Sequence, residues 1–527
     1  MKKKEMISEL LVLIFTTIIV YFVYTYKRSH YYLDKRGVKY VPGVPLFGNS
    51  LQASLQKRHP CEDFDAVYKA FPDEKYVGFI ETSTVALIIR DPELIKNITV
   101  KDFDHFTDHR SFFENSELFG GSLVMMKGEK WHDMRATLSP AFTSSKMKQI
   151  MPFMAQISDN IIEHLKDHQL EDIDLGDIMH RYTNDVIASA GFGLQVNSLK
   201  DKENEFYMAG QNLFKFNAVQ KLLFIATAIF PGLLKILKIN LFPEKTIKFF
   251  RHLVTSTMEY REKNNVERPD IIQLLMQASK GILKHTADSN EKDVGFAATK
   301  EIVKPQGAVR QWSQDELCGQ VFLFFIAGFE SSASVLVMCI HELTINPEVQ
   351  EKLYQEIRTF HKKNSSLTFD NITELKYLDC VLNETMRKWT SAMIMDRVCV
   401  KPYELPPPRE GAKTLQLKPG DFVYNSLYSI HMDPKYYPQP KLFDPDRFSD
   451  ENKHKIKPFT FMPFGVGPRN CIGSRFALLE IKLLVYKIVL NFKLLKCEKT
   501  SDPIELHTED FNIKAKGGSW IRMELRQ

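Results

Sequence analysis

The feature that most constrains this chain is a single cysteine set among glycines, in the stretch FMPFGVGPRNCIGSRFALLE. Gly465, Gly467 and Gly473 allow the backbone to approach a flat ligand closely, and Arg469 supplies a cation beside it. Apolar residues recur at helical spacing after Gly473, so Cys471 is expected just before a helix N-terminus, where the dipole favours an anion. The pattern favours a stabilised thiolate, although a buried structural cysteine in a Gly-rich turn fits the same residues.

The other cysteines carry no metal-binding or disulfide pattern. The chain has seven cysteines in 527 residues, scattered without CxxC spacing. This argues against a disulfide framework and a tetrahedral zinc site, and it fits a reducing compartment. The formal net charge of +5 is small for the length, so composition gives no case for nucleic acid as a partner.

An apolar N-terminal run predicts a membrane segment. Leu10 to Tyr26 is uncharged and, as a helix of roughly 26 Å, just spans a bilayer core of about 30 Å. A cleaved signal peptide is the alternative, but no small-residue cleavage site follows the run. We therefore expect an uncleaved anchor over 1–28, a Pro-rich hinge over 29–50 and one globular domain over 51–527. The flanking lysines and arginines and the free cysteines favour a cytosolic body.

Helical periodicity dominates the body, and short strand candidates are few and scattered. The sequence therefore predicts a mainly α fold with small β-sheets (α+β) in a single large domain. The predicted helices are Met147 to Leu165, Glu316 to Ile340, Pro347 to His361 and Thr373 to Lys388, and the predicted strands include Ala86 to Ile89 and Leu415 to Leu417.

The cysteine stretch matches a family signature at every fixed position. Its residues Phe464, Gly467, Arg469, Cys471 and Gly473 fit F-x-x-G-x-R-x-C-x-G, the haem-binding signature of the cytochrome P-450 superfamily. Three further motifs occur in the expected order: ETMR, PDRF and AGFESS. Over essentially its whole length the chain resembles these haem-thiolate monooxygenases, most closely the insect microsomal enzymes of clan 3, around family 9.

The resemblance implies haem b as cofactor, with Cys471 as the iron ligand and Phe464 and Gly473 shaping the loop. Family members hold the haem propionates with cationic and indole side chains. The matching positions here are Trp131, Arg135, Arg397 and Arg469, with His109 standing where many relatives have arginine.

Two other residue groups take roles from the resemblance. Glu384 and Arg387, at i and i+3 on a helix, and Arg447 from PDRF form a structural ion-pair triad. Glu330 and Ser331 correspond to the acid and alcohol that deliver protons during oxygen activation. Serine replaces the usual threonine, keeping the hydroxyl but losing the methyl that restricts χ1. In the alternative reading, Ser331 is a small residue that permits helix packing.

The substrate pocket is expected to be lipophilic, because the family's substrate-contacting segments are rich in phenylalanine and methionine here. A phenylalanine stripe at helical spacing is more often ordinary core, so at most about half of these side chains should touch substrate. Leu222 to Ile239 is expected to dip into the membrane. The predicted pocket residues are Phe112, Phe113, Phe325, Phe329, Ile394 and Met395.

No P-loop and no G-x-G-x-x-G fingerprint occurs in the sequence, so electrons must come from another protein. The resemblance implies an NADPH-dependent flavoprotein reductase, with cytochrome b5 as a second donor, and an endoplasmic reticulum location with the catalytic domain in the cytosol. Substrates would be foreign compounds, such as plant toxins or insecticides, or endogenous lipids and hormones. A non-catalytic haem-thiolate carrier and a reductase-independent peroxide isomerase remain as alternatives, and the Glu330 and Ser331 pair favours the monooxygenase.

Overall fold

The computed structural model describes residues 2–82, 84–111, 113–114, 116–214, 223, 242–280, 294–299, 310–509 and 512–527. The α-helices are α1 Lys2–Lys35, α2 Leu51–Ser54, α3 Pro60–Ala70, α4 Pro92–Lys96, α5 Glu117–Gly120, α6 Gly128–Leu138, α7 Ser144–Asp167, α8 Leu175–Ile187, α9 Glu205–Phe214, α10 Glu244–Asn264, α11 Ile271–Ser279, α12 Gln314–Ile345, α13 Pro347–Asn364, α14 Lys376–Lys388, α15 Leu427–His431 and α16 Ser474–Asn491.

The strands are short and form three small sheets. They are β1 Tyr76–Glu81, β2 Thr84–Ile89, β3 Ile173–Asp174, β4 Ile394–Val398, β5 Tyr403–Leu405, β6 Leu415–Leu417, β7 Phe422–Ser426, β8 Phe492–Leu495 and β9 Trp520–Leu525. The largest sheet has the order β1-β2-β7-β4, in which only the β2 and β7 pair is parallel. The other sheets have the orders β3-β9-β8 and β5-β6. The predicted fold class, mainly α with small sheets, is confirmed.

Helix α12 is the centre of the helical core. It begins with a capping box, in which the Ser313 side chain accepts from the Glu316 N–H (3.3 Å) and the Ser313 N–H donates to the Glu316 carboxylate (2.8 Å). It ends before Pro347, because a residue preceding proline disfavours helix. Among the described residues, α12 is the helix long and apolar enough to cross a bilayer, but 78% of its apolar window is buried inside the protein. It is therefore positioned as a core helix between α8 and α16.

Helix α1 packs only at its C-terminal end. Leu33 is fully buried under the largest sheet, and the Tyr32 hydroxyl donates to Asp421 (2.9 Å). The N-terminal half exposes large apolar side chains, among them Val12, Leu13, Phe15, Ile19 and Val20. The helix continues to Lys35, past the predicted start of the hinge, and the segment 40–49 after it contains no helix or strand.

The predicted long helices all form, and most of their observed ends lie within three residues of the predicted ones. The largest difference is at α12, which continues to Ile345, five residues beyond the predicted end at Ile340. Helix α14 begins three residues later than predicted, at Lys376, because the residues before it, Ile372–Glu374, form a separate 3-10 turn. Both predicted strands form, as β2 and β6.

Candidate functional site

The Cys471 loop is closed by its own backbone. The Cys471 N–H donates to the Phe464 carbonyl (2.8 Å), and the Asn470 N–H donates to the Gly467 carbonyl (3.0 Å). Gly467 has φ +76°, and a side chain there would collide with the Thr99 carbonyl, so glycine is required. The following helix, α16, has Gly473 as its N-cap, which confirms that Cys471 lies just before a helix N-terminus.

Cys471 is accessible to solvent. Protein nevertheless surrounds the residue closely enough that burial raises the pKa of the thiol. The Gly473 N–H and the Arg135 charge oppose the effect of burial without reversing it. The protein alone thus favours the thiol, and metal binding would displace its proton.

Two arginines are buried beside this loop. Arg469 is 8% exposed, donates to the carbonyls of Thr107 (2.7 Å) and Met126 (2.8 Å), and lies over the Trp131 ring with its guanidinium carbon 4.1 Å from the ring centroid. Burial, then repulsion from Arg397, lowers the pKa of Arg469 well below its usual value. Of the two buried arginines, Arg469 is therefore the one that packs against Trp131.

Arg397 lies on β4 and is fully buried. Its Nη1 donates to the Asp396 carbonyl (2.7 Å), and burial lowers its pKa to about 10, so it stays protonated. Its Nε has no hydrogen-bond partner within the described part of the chain. Met395, on the same strand, lies close to Gly465 and so joins β4 to the Cys471 loop.

Arg135 supports the loop from α6. Its two terminal nitrogens donate to the backbone carbonyl and to the side-chain oxygen of Asn470, each at 2.7 Å. Arg135 therefore holds the residue before Cys471, and its contact with a propionate stays a prediction.

His109 is paired with a carboxylate. Its Nδ1 lies 2.9 Å from Asp396, which also accepts from the Arg110 N–H (2.6 Å). Burial, with repulsion from Arg397 and Arg469, lowers the pKa of His109, so the imidazole is neutral at neutral pH. Burial also opposes ionisation of Asp396, but the hydrogen bonds from His109 and the Arg110 N–H, with the charge of Arg397, lower its pKa below the usual value.

These residues fit a haem. The site combines one accessible thiol, glycines that allow a flat group close to the backbone, and three buried arginines. The neighbouring carboxylates, Asp396 and Asp108, leave an excess of positive charge, and the buried Nε of Arg397 is unpartnered within the described residues. Carboxylates such as haem propionates would be attracted by that charge. The described residues hold no cluster of three or more metal-binding side chains.

The predicted ion-pair triad is present. Arg387 contacts Glu384 through two hydrogen bonds of 2.6 and 2.8 Å, and both side chains are fully buried. Arg447 lies 3.4 Å from the same carboxylate, and the Asp444 N–H donates to it (3.0 Å). Arg387 also donates to the His431 carbonyl (2.8 Å), so the triad joins α14 to the segments that precede the Cys471 loop.

The structure does not bring Glu330 and Ser331 together. Ser331 is accessible although α12 is otherwise largely buried, and its hydroxyl donates to the Ala327 carbonyl (2.6 Å). Glu330 points elsewhere, because consecutive helical residues lie about 100° apart. Its carboxylate contacts His180 (3.0 Å) and Lys514 (3.2 Å). Burial alone would raise the pKa of Glu330, but these partners outweigh it and lower the pKa to about 2.

Two predicted pocket residues pack in the core. Phe325 and Phe329 are at most 2% exposed, and their rings contact Phe206 (4.9 Å) and Phe214 (5.7 Å) of α9. They lie on the face of α12 opposite Ala327 and Ser331, the accessible side. The assignment of these two rings to the pocket is therefore revised to the alternative of ordinary core packing.

The remaining predicted pocket residues have mixed outcomes. Phe113 is half-buried against Phe119 (5.7 Å between ring centroids), and Ile394 is half-buried on β4. Met395 is 9% exposed. Phe112 and all of Leu222 to Ile239 except Leu223 lie outside the described residues.

Several residues of the site could not be found from the sequence. His180, on α8, and Lys514, in the C-terminal region, form ion pairs with Glu330. Asn470 accepts hydrogen bonds from Arg135 through both its backbone carbonyl and its side chain. His180 and Lys514 belong to no motif, and Asn470 occupies a variable position of the cysteine signature. Only the buried position of Glu330 in an apolar helix indicated that it needs a partner.

Comparison with known proteins gives whole-chain matches. The family model described as Cytochrome P450 matches residues 39–522. Probable cytochrome P450 9f2 of Drosophila melanogaster is 42% identical over 510 residues, covering 94% of this chain and 95% of that protein. Cytochrome P450 9e2 of Blattella germanica is 40% identical over 532 residues, covering 97% of each. These matches confirm the predicted resemblance to insect proteins around family 9.

Proposed function

The chain belongs to the cytochrome P450 family, and from that premise we propose that it is a membrane-anchored enzyme that oxidises lipophilic compounds with electrons from an NADPH-dependent flavoprotein reductase. As a family member it is a haem-dependent monooxygenase. The observation that carries the proposal is Cys471, which is accessible yet closely surrounded by protein and lies beside buried arginines, of which Arg397 has an unpartnered Nε within the described residues.

Bound haem supplies the activation of molecular oxygen. In the proposal, Cys471 binds the iron, and its loop is kept in shape by the Phe464 carbonyl and by Arg135 acting on Asn470. Arg397 and Arg469 bind the haem carboxylates. His109 is neutral, so it adds no charge and instead orients Asp396.

Ser331 is proposed to hold the proton nearest the reacting oxygen. Its hydroxyl now bonds to Ala327 O, and a change of χ1 would turn it towards the space that Ser331 borders. Serine lacks the methyl that restricts χ1, so this rotation is easier than in threonine. Glu330 would act behind it as an acid, after its ion pairs with His180 and Lys514 are released.

Lipophilic substrates, foreign or endogenous, are proposed to lie against Phe113, Ile394 and Met395. Phe325 and Phe329 form the layer behind that surface and would act on substrate only through packing. Phe112 remains a proposed substrate contact because it lies in a segment that resembles the family's substrate-contacting segments.

The exposed apolar side chains of α1 support residues 1–28 as an anchor, with 29–50 as a hinge and 51–527 as the catalytic domain. We propose an endoplasmic reticulum location with the domain in the cytosol. Electrons would then reach the catalytic domain from the reductase, and cytochrome b5 would be a second donor. Membrane lipid would surround α1.

Reconstitution tests this function. Purified full-length protein in phospholipid, with the reductase and NADPH, should form oxygenated products from a panel of lipophilic compounds. Cys471→Ala should form none under the same conditions. Haem-loaded protein that forms no product from any compound, and that raises NADPH oxidation no further than the reductase does alone, would favour the non-catalytic carrier.

A further inference from the structure

A short segment, Val294–Thr299 (VGFAAT), lies against the Cys471 loop and the start of α16. Val294 is fully buried and Ala297 is 8% exposed, and both belong to the main hydrophobic core. These six residues, here called the 294–299 segment, were not part of any sequence motif. Their contacts show that the segment is packed in a defined place.

An ion pair fixes the N-terminal end of the 294–299 segment. Lys482 of α16 is 1% exposed in its side chain, contacts Asp379 of α14 (2.7 Å) and donates to the Val294 carbonyl (2.6 Å). The Phe296 N–H donates to the Asp379 carboxylate (2.9 Å). A side chain at Gly295 would collide with Asp379 and would approach the Lys482 ammonium to 2.9 Å, so glycine allows the backbone this close.

Aromatic contacts fix the middle of the segment. The Phe296 ring is stacked on Phe461, with centroids 5.9 Å apart and planes at 20°, and it contacts Phe448 of the PDRF motif (6.0 Å). Phe461 opens the stretch that leads to Cys471. The segment is therefore held to the same two sequence regions that shape the site.

The C-terminal residue of the segment, Thr299, contacts Cys471, the proposed iron ligand. The Thr299 hydroxyl lies 3.1 Å from the Cys471 carbonyl and 2.8 Å from the Ser474 hydroxyl, and the Thr299 N–H donates to Ser474 Oγ (3.2 Å). A threonine hydroxyl has one proton. The arrangement that satisfies all three groups has Ser474 donating to Thr299, and Thr299 donating to the Cys471 carbonyl.

We propose that Thr299 is a positioning residue for Cys471: its hydroxyl fixes the Cys471 peptide group and draws electron density away from it. Groups that hydrogen-bond to a metal-ligating residue orient the ligand and tune the reduction potential of the metal. This inference rests on the proposed role of Cys471 as the haem ligand. Removing the hydroxyl should leave more electron density on the sulfur and favour the oxidised iron.

The test is a redox titration of the full-length holoprotein, followed by the Soret band, for the parent, Thr299→Val and Thr299→Ser. Thr299→Val should lower the ratio of reduced to oxidised haem at a fixed potential about two- to threefold, a shift of about −18 to −28 mV at 59 mV per tenfold. Thr299→Ser should restore the parent potential. The matched control is Thr255→Val on α10, where a half-buried threonine hydroxyl donates to the His252 carbonyl (3.1 Å), and it should leave the potential unchanged.

A Thr299→Val potential equal to that of the parent overturns the inference. If that variant does not retain haem, Gly295→Ala serves instead, because its methyl group lifts the segment away from Asp379 and should shift the potential in the same direction. An unchanged potential in Gly295→Ala then overturns the inference. A parent protein whose reduced carbon monoxide complex lacks the red-shifted thiolate-type Soret band overturns the proposed role of Cys471 instead, so the two failures are distinguishable.

Discussion

Neutralising Glu384 should destabilise the protein by about 3 to 5 kcal/mol, the usual cost of removing one partner of a buried ion pair. The carboxylate is fully buried and accepts from Arg387 at 2.6 and 2.8 Å, from the Asp444 N–H at 3.0 Å and from Arg447 at 3.4 Å. In Glu384→Gln, the amide cannot balance two guanidinium charges, and one of its atoms is a donor facing other donors. The value lies at the upper end because Arg387 is itself fully buried.

The assay is urea unfolding of the full-length protein in detergent, followed by circular dichroism, for Glu384→Gln, Arg387→Met and the double variant. The double variant should lose less than the sum of the single losses, because it contains one uncompensated cation fewer. Lys352→Met is the control: Lys352 pairs with Asp446 at 2.6 Å, but both side chains are about half exposed, so the loss should be below about 1 kcal/mol. A Glu384→Gln loss as small as that of the control, or strictly additive losses, would refute the reasoning.

Four further outcomes are expected. Ser331→Ala should form less product per NADPH oxidised, while Ser331→Thr should preserve the coupling because it keeps the hydroxyl; equal product yields for Ser331→Ala and the parent would leave Ser331 as a packing residue. The Glu330 carboxyl has its pKa lowered to about 2 from 4.5, so its stabilisation is present above about pH 4.5 and is lost as the pH falls towards 2. Glu330→Gln should therefore flatten the acid side of the stability profile, and an unchanged profile would contradict the ion pair with His180. Gly467→Ala should lower haem retention, measured by the Soret absorbance per folded protein, because its methyl group collides with a backbone carbonyl, and full retention would contradict the packing of the loop. Deleting residues 1–28 should weaken membrane binding in a flotation assay, and unchanged binding would count against the anchor.

The Cys471 loop and the ion-pair triad were predictable because their information is local. The loop depends on glycine, arginine and cysteine at fixed spacing, and Glu384 and Arg387 share one helix face. The structure places Cys471 just before α16 and brings Glu384, Arg387 and Arg447 together. The contacts that these residues make with distant parts of the chain, such as the hydrogen bond from Arg387 to the His431 carbonyl, could be known only from the structure.

The faces of α12 were not predictable, because a helix that is apolar all round has no periodic signal to separate one face from another. Phe325 and Phe329 look like Ile326 and Ala327 in the sequence, yet the two rings pack on α9 while Ala327 is accessible. For the same reason Glu330 and Ser331 are neighbours in sequence but lie on different faces.

The direction of the pKa shift of the Cys471 thiol could not be predicted from the sequence, for a different reason. The sequence indicated an arginine and a helix N-terminus, which both favour a thiolate, but it did not show how closely protein encloses the sulfur. Burial raises the pKa of the thiol more than those groups lower it. The number of surrounding atoms is a property of the tertiary structure, so the direction of the shift could not be derived from the motif.

The claim that Cys471 binds the haem iron is tested most directly by the carbon monoxide difference spectrum of the reduced protein. The full-length parent should show the strongly red-shifted Soret band of a thiolate-ligated haem. Cys471→Ala, confirmed as folded by circular dichroism, should lack that band, because the described part of the loop offers no other side chain suited to bind iron. A Cys471→Ala protein that retains the red-shifted band at the intensity of the parent would contradict the account.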